Sequence, residues 1–388
     1  MTTLEIDGRR LATTLFIAVA SNSVLTASRF ALPIVALGFG ASEFTVGVLS
    51  GLLMVVPLAI GIPFGRWMDR VGALTPMTVA TLLSVLSGLV SMAYPGVASL
   101  ALTSLLAGAG SMMCHITATQ VMGGAGTGDS RMRLLGLLGV GYATMQFLAP
   151  LMIGFAYDGA GPRAAFAALA APPVLALLAL FFGRHLFVRK AAQPAGLGGV
   201  DRRLGALLRE PVLRTWALVY AVFQSALSFY PVVSTLHGGE LGFSASAISA
   251  LFAAQAVGVI GSRAAVSMID KSVSRRLIVG VALTMSALAF VVTPALHAWP
   301  VLLAVSFCVG VCTGIGQPVS MSMVYEAAPS GRLNESISLA SITANFLQLV
   351  VPIVSGALAS IYGVTAMAAI VAASLAFAAG LAVRHARG

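Results

Sequence analysis

The stretch "LGFGAS" at residues 37–42 returns as "LGFSAS" at 241–246, and each copy stands where one long apolar run ends and the next begins. A near-identical hexapeptide at such a separation says that the chain is written twice. Composition tells what is duplicated. Across 388 residues the chain is 59% hydrophobic and 9% charged, with a mean hydropathy of +0.98, far outside the range of soluble domains. This is the composition of an integral membrane protein.

The apolar runs are about 20 residues long, as a helix crossing roughly 30 Å of hydrocarbon requires, and they lack the alternation of barrel strands. An all-α bundle of twelve spans is expected, at 11–37, 45–64, 74–94, 97–122, 134–156, 164–187, 215–236, 247–268, 277–296, 301–324, 337–359 and 364–383. The first span follows "EIDGRR" and precedes no small-residue cleavage site, so it is expected to be a retained helix rather than a signal peptide. The termini, alternate loops and the span ends adjoining them collect 20 of the 22 Lys and Arg, Arg184 and Arg263 among them, leaving Arg29 deep within a span and Arg163 in an opposite loop. By the positive-inside rule both termini are expected to be cytoplasmic, and the membrane is expected to be of the bacterial inner type. The net charge of +10 reflects this topology, and no nucleic-acid partner is expected.

Chemistry of the enzymatic kind is not written here. Cys114, Cys308 and Cys312 fall within spans; the last two share a helix face but have no further metal ligands nearby, so packed thiols are expected and no metal. A nucleotide-binding loop and a paired-carboxylate site are both missing from the sequence. No cofactor is expected, and the chain is not read as an enzyme.

The duplication extends to polar residues in mid-span, which are costly in lipid and usually face a bundle interior or an aqueous cavity. Adding 202 takes Asn22 to Gln224, His115 to Gln317, Gln146 to Gln348, Ser111 to Thr313, Thr26 to Ser228 and Pro150 to Pro352. Two six-helix halves are therefore expected, at 1–188 and 212–388, joined by a cytoplasmic linker at 189–211 in which "DRRLGALLRE" has the makings of a short interfacial helix. Paired halves of equal orientation are an architecture of secondary transporters, whose substrate sits near mid-bilayer.

The octapeptide "GRWMDRVG" at 65–72 resembles the loop between helices two and three of the major facilitator superfamily, where the pattern runs Gly-x-x-x-Asp-Arg-x-Gly. Gly65, Asp69, Arg70 and Gly72 match it, and the second copy, "MIDKSVSRR", keeps Asp270 and Lys271 but has Val273 in place of the glycine. The resemblance covers the whole chain in span count, long middle loop and repeat spacing. It implies a carrier working by alternating access, with these six residues forming a conformational latch. In that fold Asp69 lies near the start of span eleven, close to Ser336, where a carboxylate at a helix N-terminus gains about 0.3–1 kcal/mol when exposed. Two departures bear on direction and coupling. Ser104 stands where many proton-coupled exporters of the superfamily carry an arginine before the Gly-x-Gly that is here Gly108 and Gly110, while span five keeps Gly141, Pro150 and Gly154 of an antiporter-like pattern but has Ala149 for the glycine before the proline.

Arg29 shares one helix face with Asn22 and Thr26, at i, i+4 and i+7. No carboxylate lies at matching depth within a span, which favours an anionic group on the substrate as its partner, against a guanidinium that snorkels or bonds helix-end carbonyls. His115 shares a face with Ser111 and Thr119 and, with an ordinary pKa of about 6.5, is a candidate for proton coupling or for substrate contact; satisfied packing is the alternative for both. The candidate substrate- or ion-binding set is Arg29, Asn22, His115, Gln146, Gln224, Gln317 and Gln348, with Tyr230, Gln255 and Asn345 as secondary members. The expected partners are a small organic solute with an anionic group, the lipid bilayer and protons, for a monomer in which export is slightly ahead of uptake. Two competing readings are an uptake permease for an organic anion and a non-transporting assembly factor or sensor of the same fold.

Overall fold

The computed structural model describes residues 3–125, 128–187, 207, 209–266, 274–329 and 332–384. All regular structure in them is helical: α1 (Thr3–Gly38), α2 (Glu43–Val71), α3 (Leu74–Ala93) and α4 (Val97–Gly124) are followed by a long stretch, Gly128–Gly183. That stretch breaks at Ala160 (φ −147°) and Gly161 (φ 76°) into α5 (128–159) and α6 (162–183). Then come α7 (Pro211–Glu240), α8 (Ala245–Val266), α9 (Arg275–Val292), α10 (Trp299–Ala327), α11 (Leu333–Tyr362) and α12 (Val364–Arg384). Eleven helical stretches are long and apolar enough to cross a membrane, and the one from Arg133 to Leu186 contains two crossings. The expected twelve-helix architecture is thus the observed one. Of the linker, only Leu207, Arg209, Glu210 and Pro211, which opens α7, are among the described residues, so the expected interfacial helix at 201–210 lies mostly outside them.

On α3 and α9, large apolar side chains point outward. On α3 the buried face carries Thr81, Ser84, Ser87 and Ser91, whereas Leu82, Leu86 and Leu89 are exposed. On α9 an exposed apolar stripe runs through Leu277, Val281, Met285, Leu288 and Val292. Because lipid is as apolar as leucine, burying leucine gains little there, and hydroxyls become the interior adhesive. Thr103 Oγ1 accordingly donates to Ser87 O at 2.7 Å and lies 2.7 Å from Ser91 Oγ, joining α4 to α3.

Two compact units emerge. The first contains α1, α2 from Leu52 onward, α3 to α6, and Ser244–Ser249 at the start of α8; the second contains Ala41–Gly51 at the start of α2 and the helices from α7 on, with α8 from Ala250. Within the first, α1 packs on α4 and α5, and α3 packs on α4; within the second, α7 packs on α10 and α11, and α9 on α10. Equivalent helices make equivalent pairs.

The equivalence holds to the atom at an offset of 202. A Cβ on Gly108 would lie 2.0 Å from Leu53 O, and one on Gly310 would lie 2.1 Å from Gln255 O, so α4 crosses α2 as α10 crosses α8, backbone against backbone. Gly40 and Gly242 hold φ of 71° and 72° in the turns after α1 and α7, and Gly161 and Gly363 both hold 76°. Two residues beyond the first pair, Ser42 Oγ accepts the Thr45 N–H and Ser244 Oγ accepts the Ala247 N–H. The hexapeptide match spans 204 residues and is therefore two out of structural register. What repeats is Gly-x-Ser, a left-handed turn followed by a hydroxyl cap, whereas Leu-Gly-Phe is shared spelling at non-equivalent places.

The crossings carry a testable consequence. Gly310→Leu drives a side chain into the Gln255 carbonyl and is expected to cost about 1–3 kcal/mol or more by overpacking. Gly139→Ala, at a helical position with nothing within 4 Å of the added methyl, is expected to be neutral or to stabilise by about 0.5–1 kcal/mol. Thermal unfolding of the purified protein in detergent reads both.

Candidate functional site

In the first unit the polar face foreseen on α1 is present. Asn22, Thr26 and Arg29 are each partly buried, while Ser21, Ser23, Val24, Ala27, Ser28 and Phe30 around them are buried. On α4, His115 is exposed, its backbone carbonyl accepts from Thr119 Oγ1 at 2.8 Å, and its ring lies 5.3 Å from that of Tyr142 on α5. Tyr142 has no place in the sequence-derived set, because a tyrosine in an apolar run has no signature until its neighbours are known. Its hydroxyl and that of Ser111, one turn before His115, are buried without a hydrogen-bond partner among the described residues. Buried hydroxyls in that condition are uncommon, since each loses about 1–3 kcal/mol of hydration, and they mark places where a ligand or water completes the set. Gln146, on the same helix as Tyr142, is partly buried.

The second unit holds a connected polar chain. Arg263 Nη2 donates to Gln317 Oε1 at 2.9 Å, and Gln317 Nε2 donates to Gln224 Oε1. One turn along α7, Ser228 Oγ bonds Gln348 Oε1 on α11 at 2.7 Å. Two glycines bring these helices together. A Cβ on Gly314 would meet Ser262 Oγ at 2.1 Å, next to Arg263, and a Cβ on Gly316 would meet the Phe223 ring at 2.1 Å, next to both Gln317 and Gln224. Sequence reading grouped Arg263 with the topological cations, although it lies inside α8. Its role shows only when α8 is seen against α10.

The secondary candidates divide. Tyr230 is 1% exposed, its hydroxyl lies 3.3 Å from Ser306 Oγ and 3.5 Å from Thr293 Oγ1, and its ring packs edge-on against Phe290. Gln255 is buried and donates from Nε2 to Leu227 O at 3.3 Å. Both side chains are spent on helix packing, because in hydrocarbon a polar side chain that meets a neighbouring helix is satisfied there. Asn345 is partly buried on α11.

For the expected latch, Gly65 and Arg70 lie in the last turns of α2, and Gly72, at φ 77°, donates its N–H to Met68 O at 3.0 Å to end it. The side chain of Asp69, and Asp270 and Lys271 entirely, lie outside the described residues. A carboxylate does cap a helix elsewhere. Asp158, at the end of α5, accepts the Ala245 N–H at 2.9 Å and the Ser246 N–H at 2.8 Å, closing the N-terminus of α8.

Asp158 acts where helices cross closely. A Cβ on Gly154 would lie 2.4 Å from Ser249 Oγ and 2.8 Å from Ala245 O; 202 residues on, a Cβ on Gly356 would lie 2.7 Å from Glu43 O and 3.0 Å from Gly47 Cα. The two crossings are equivalent residue for residue, but Ser360 stands opposite Asp158, so one is fastened by a charge and the other is not. Asp158→Ala is expected to cost about 0.5–2 kcal/mol, the range for a lost helix cap. Asp158→Asn, which keeps one acceptor, is expected to cost less, and thermal unfolding in detergent ranks the three proteins.

Comparison with known proteins follows the same lines. The family model described as Major Facilitator Superfamily matches residues 11–266 and 229–387. No curated protein matches the chain in sequence. Among solved structures, a POT family transporter in complex with a thioalcohol-conjugated peptide is similar at a TM-score of 0.80 and 12% identity, covering 97% of this chain and 96% of that one. A peptide transporter POT in complex with sulfate is similar at 0.76 and 14%, covering 100% and 98%. A bacterial homologue of the human lysosomal transporter Spinster, inward-facing and occupied, is similar at 0.74 and 17%, covering 97% and 96%. At such identities the likeness is one of fold.

Proposed function

Because this chain belongs to the major facilitator superfamily and is a secondary transporter, we propose that it carries a small organic solute bearing an anionic group, by alternating access between its two sequence halves. The observation that carries this reading is the repeat at 202 residues. It sets Asn22 opposite Gln224, His115 opposite Gln317 and Gln146 opposite Gln348, and in each half these side chains stand on partly open faces, except that Gln348 is buried against Ser228. Polar side chains duplicated at matched positions suit a pathway that must offer similar contacts from either side. The buried, unpartnered hydroxyls of Ser111 and Tyr142 beside His115 support solute or ion contact there.

In this proposal Arg29, Asn22, His115 and Gln146 contribute from the first half, and Gln224, Gln317 and Gln348 from the second. His115 is the proposed proton-coupling group, since imidazole is the side chain that most readily exchanges a proton under physiological conditions. Both termini are placed in the cytoplasm of a bacterial-type cell, on the distribution of Lys and Arg. The pattern in span five that favoured export loses that weight: Pro150 and Gly154 recur as Pro352 and Gly356 in the matching crossing, so packing accounts for them in both halves.

The experiment is two-sided labelling. Single cysteines at positions 22, 224 and 317, in a background with Cys114, Cys308 and Cys312 changed to Ser, are expected to react with a water-soluble, membrane-impermeant maleimide from either face of sealed vesicles. Failure of all three to react from both faces would defeat the carrier reading. In proteoliposomes, counterflow and net flux under an imposed pH gradient read direction. His115→Gln is expected to abolish the response to the gradient while leaving exchange in place.

A further inference from the structure

Arg263 sets the polarity of the chain of amides it begins. A guanidinium carries only donors, so Gln317 must turn its Oε1 toward Arg263 Nη2 at 2.9 Å. Gln317 is then left with its NH2 group, which donates to Gln224 Oε1, and Gln224 in turn presents its own NH2 group. The usual ambiguity of amide orientation is removed by the cation. Tyr220, one turn before Gln224 on α7, is within electrostatic reach of both Arg263 and Tyr325. Every group the cluster offers to a visitor is therefore able to donate: the remaining guanidinium N–H groups, the Gln224 amide and two phenols.

The cluster is also one-sided in charge and in sequence. Among the described residues, the ion pairs of this unit join Glu326 to Arg275, Glu335 to Arg332 and Glu240 to His237, and none of them involves Arg263. The position equivalent to Arg263 in the first half is Gly61, so the cation is no relic of the repeat. It stands near the C-terminal end of α8, and the amide chain leads from it to Gln224 at the middle of α7.

We propose that Arg263, oriented by Gln317 and Gln224, recognises an oxyanion, foremost a carboxylate, on the transported solute. The planar fork of a guanidinium matches two carboxylate oxygens, and the Gln224 amide and the phenol of Tyr220 are able to donate beside it. This rests on the transporter reading and deepens it: the charge-selective contact lies on α8 of the second half, in addition to Arg29 on α1.

The test uses the full chain purified in detergent and a defined set of probes: benzoate, succinate and sulfate against benzamide, succinamide and sodium chloride of equal ionic strength, with phosphatidylglycerol added in a separate arm. Benzoate or succinate is expected to raise the unfolding temperature by several degrees where its amide does not. Arg263→Gln is expected to weaken that binding by roughly tenfold or more, as loss of hydrogen bonds to a charged group does. Arg263→Lys, a point charge without the fork, is expected to fall between the two and serves alone should the Gln variant fail to fold. Stabilisation by no anion of the set, stabilisation that survives Arg263→Gln unchanged, or stabilisation by phosphatidylglycerol alone would overturn the proposal. Two-sided labelling of positions 22, 224 and 317 would stand in any of those cases, so a failure here is separable from a failure of the carrier reading.

Discussion

Close approach of one helix backbone to another is the constraint on which this structure rests. In hydrocarbon, two apolar helices gain nothing by hiding leucines from lipid, so their association depends on contact area and on short polar bridges. Gly108 against Leu53 and Gly310 against Gln255 supply the contact area, and the Ser and Thr residues between α3 and α4 supply the bridges. The same device builds the polar chain of the second unit. Without the notches at Gly314 and Gly316, neither Arg263 nor Gln224 could reach Gln317.

Much of this was legible in the chain before any coordinates. Length and hydropathy of the runs fixed the helices, since a span must satisfy its own backbone and shows it in composition. The offset of 202 followed from costly polar residues, and it proved to be the structural register, whereas the hexapeptide that first advertised the repeat was two residues out. The reason is physical: polar positions in lipid are held in place by their energy, while a short run of Leu, Gly and Phe recurs without sharing a geometry. Arg263 and Asp158 escaped because their meaning depends on a partner far off in sequence. A guanidinium near a helix end looks like topology until Gln317 is beside it, and an aspartate in a turn looks like solvation until two N–H groups of α8 point at it.

Duplication and its breakage divide the labour. Elements that agree between the halves, the glycine crossings, the turn glycines and the amides of α1 and α5 with their counterparts on α7 and α11, serve a task common to both. Three charged elements disagree: at the 202-residue offset Arg29 corresponds to Pro231, Arg263 to Gly61 and Asp158 to Ser360. A symmetric frame with asymmetric charges suits a machine whose two states must differ in what they hold.

The breaks at Gly161 and Gly363 leave one or two non-helical residues between α5 and α6 and between α11 and α12. So little slack forbids either helix from sliding past its neighbour by a helical turn of about 5.4 Å. The end of α5 is thereby tied to the start of α6, and the end of α11 to the start of α12, so that neither helix of a pair can shift along its axis without drawing the other with it.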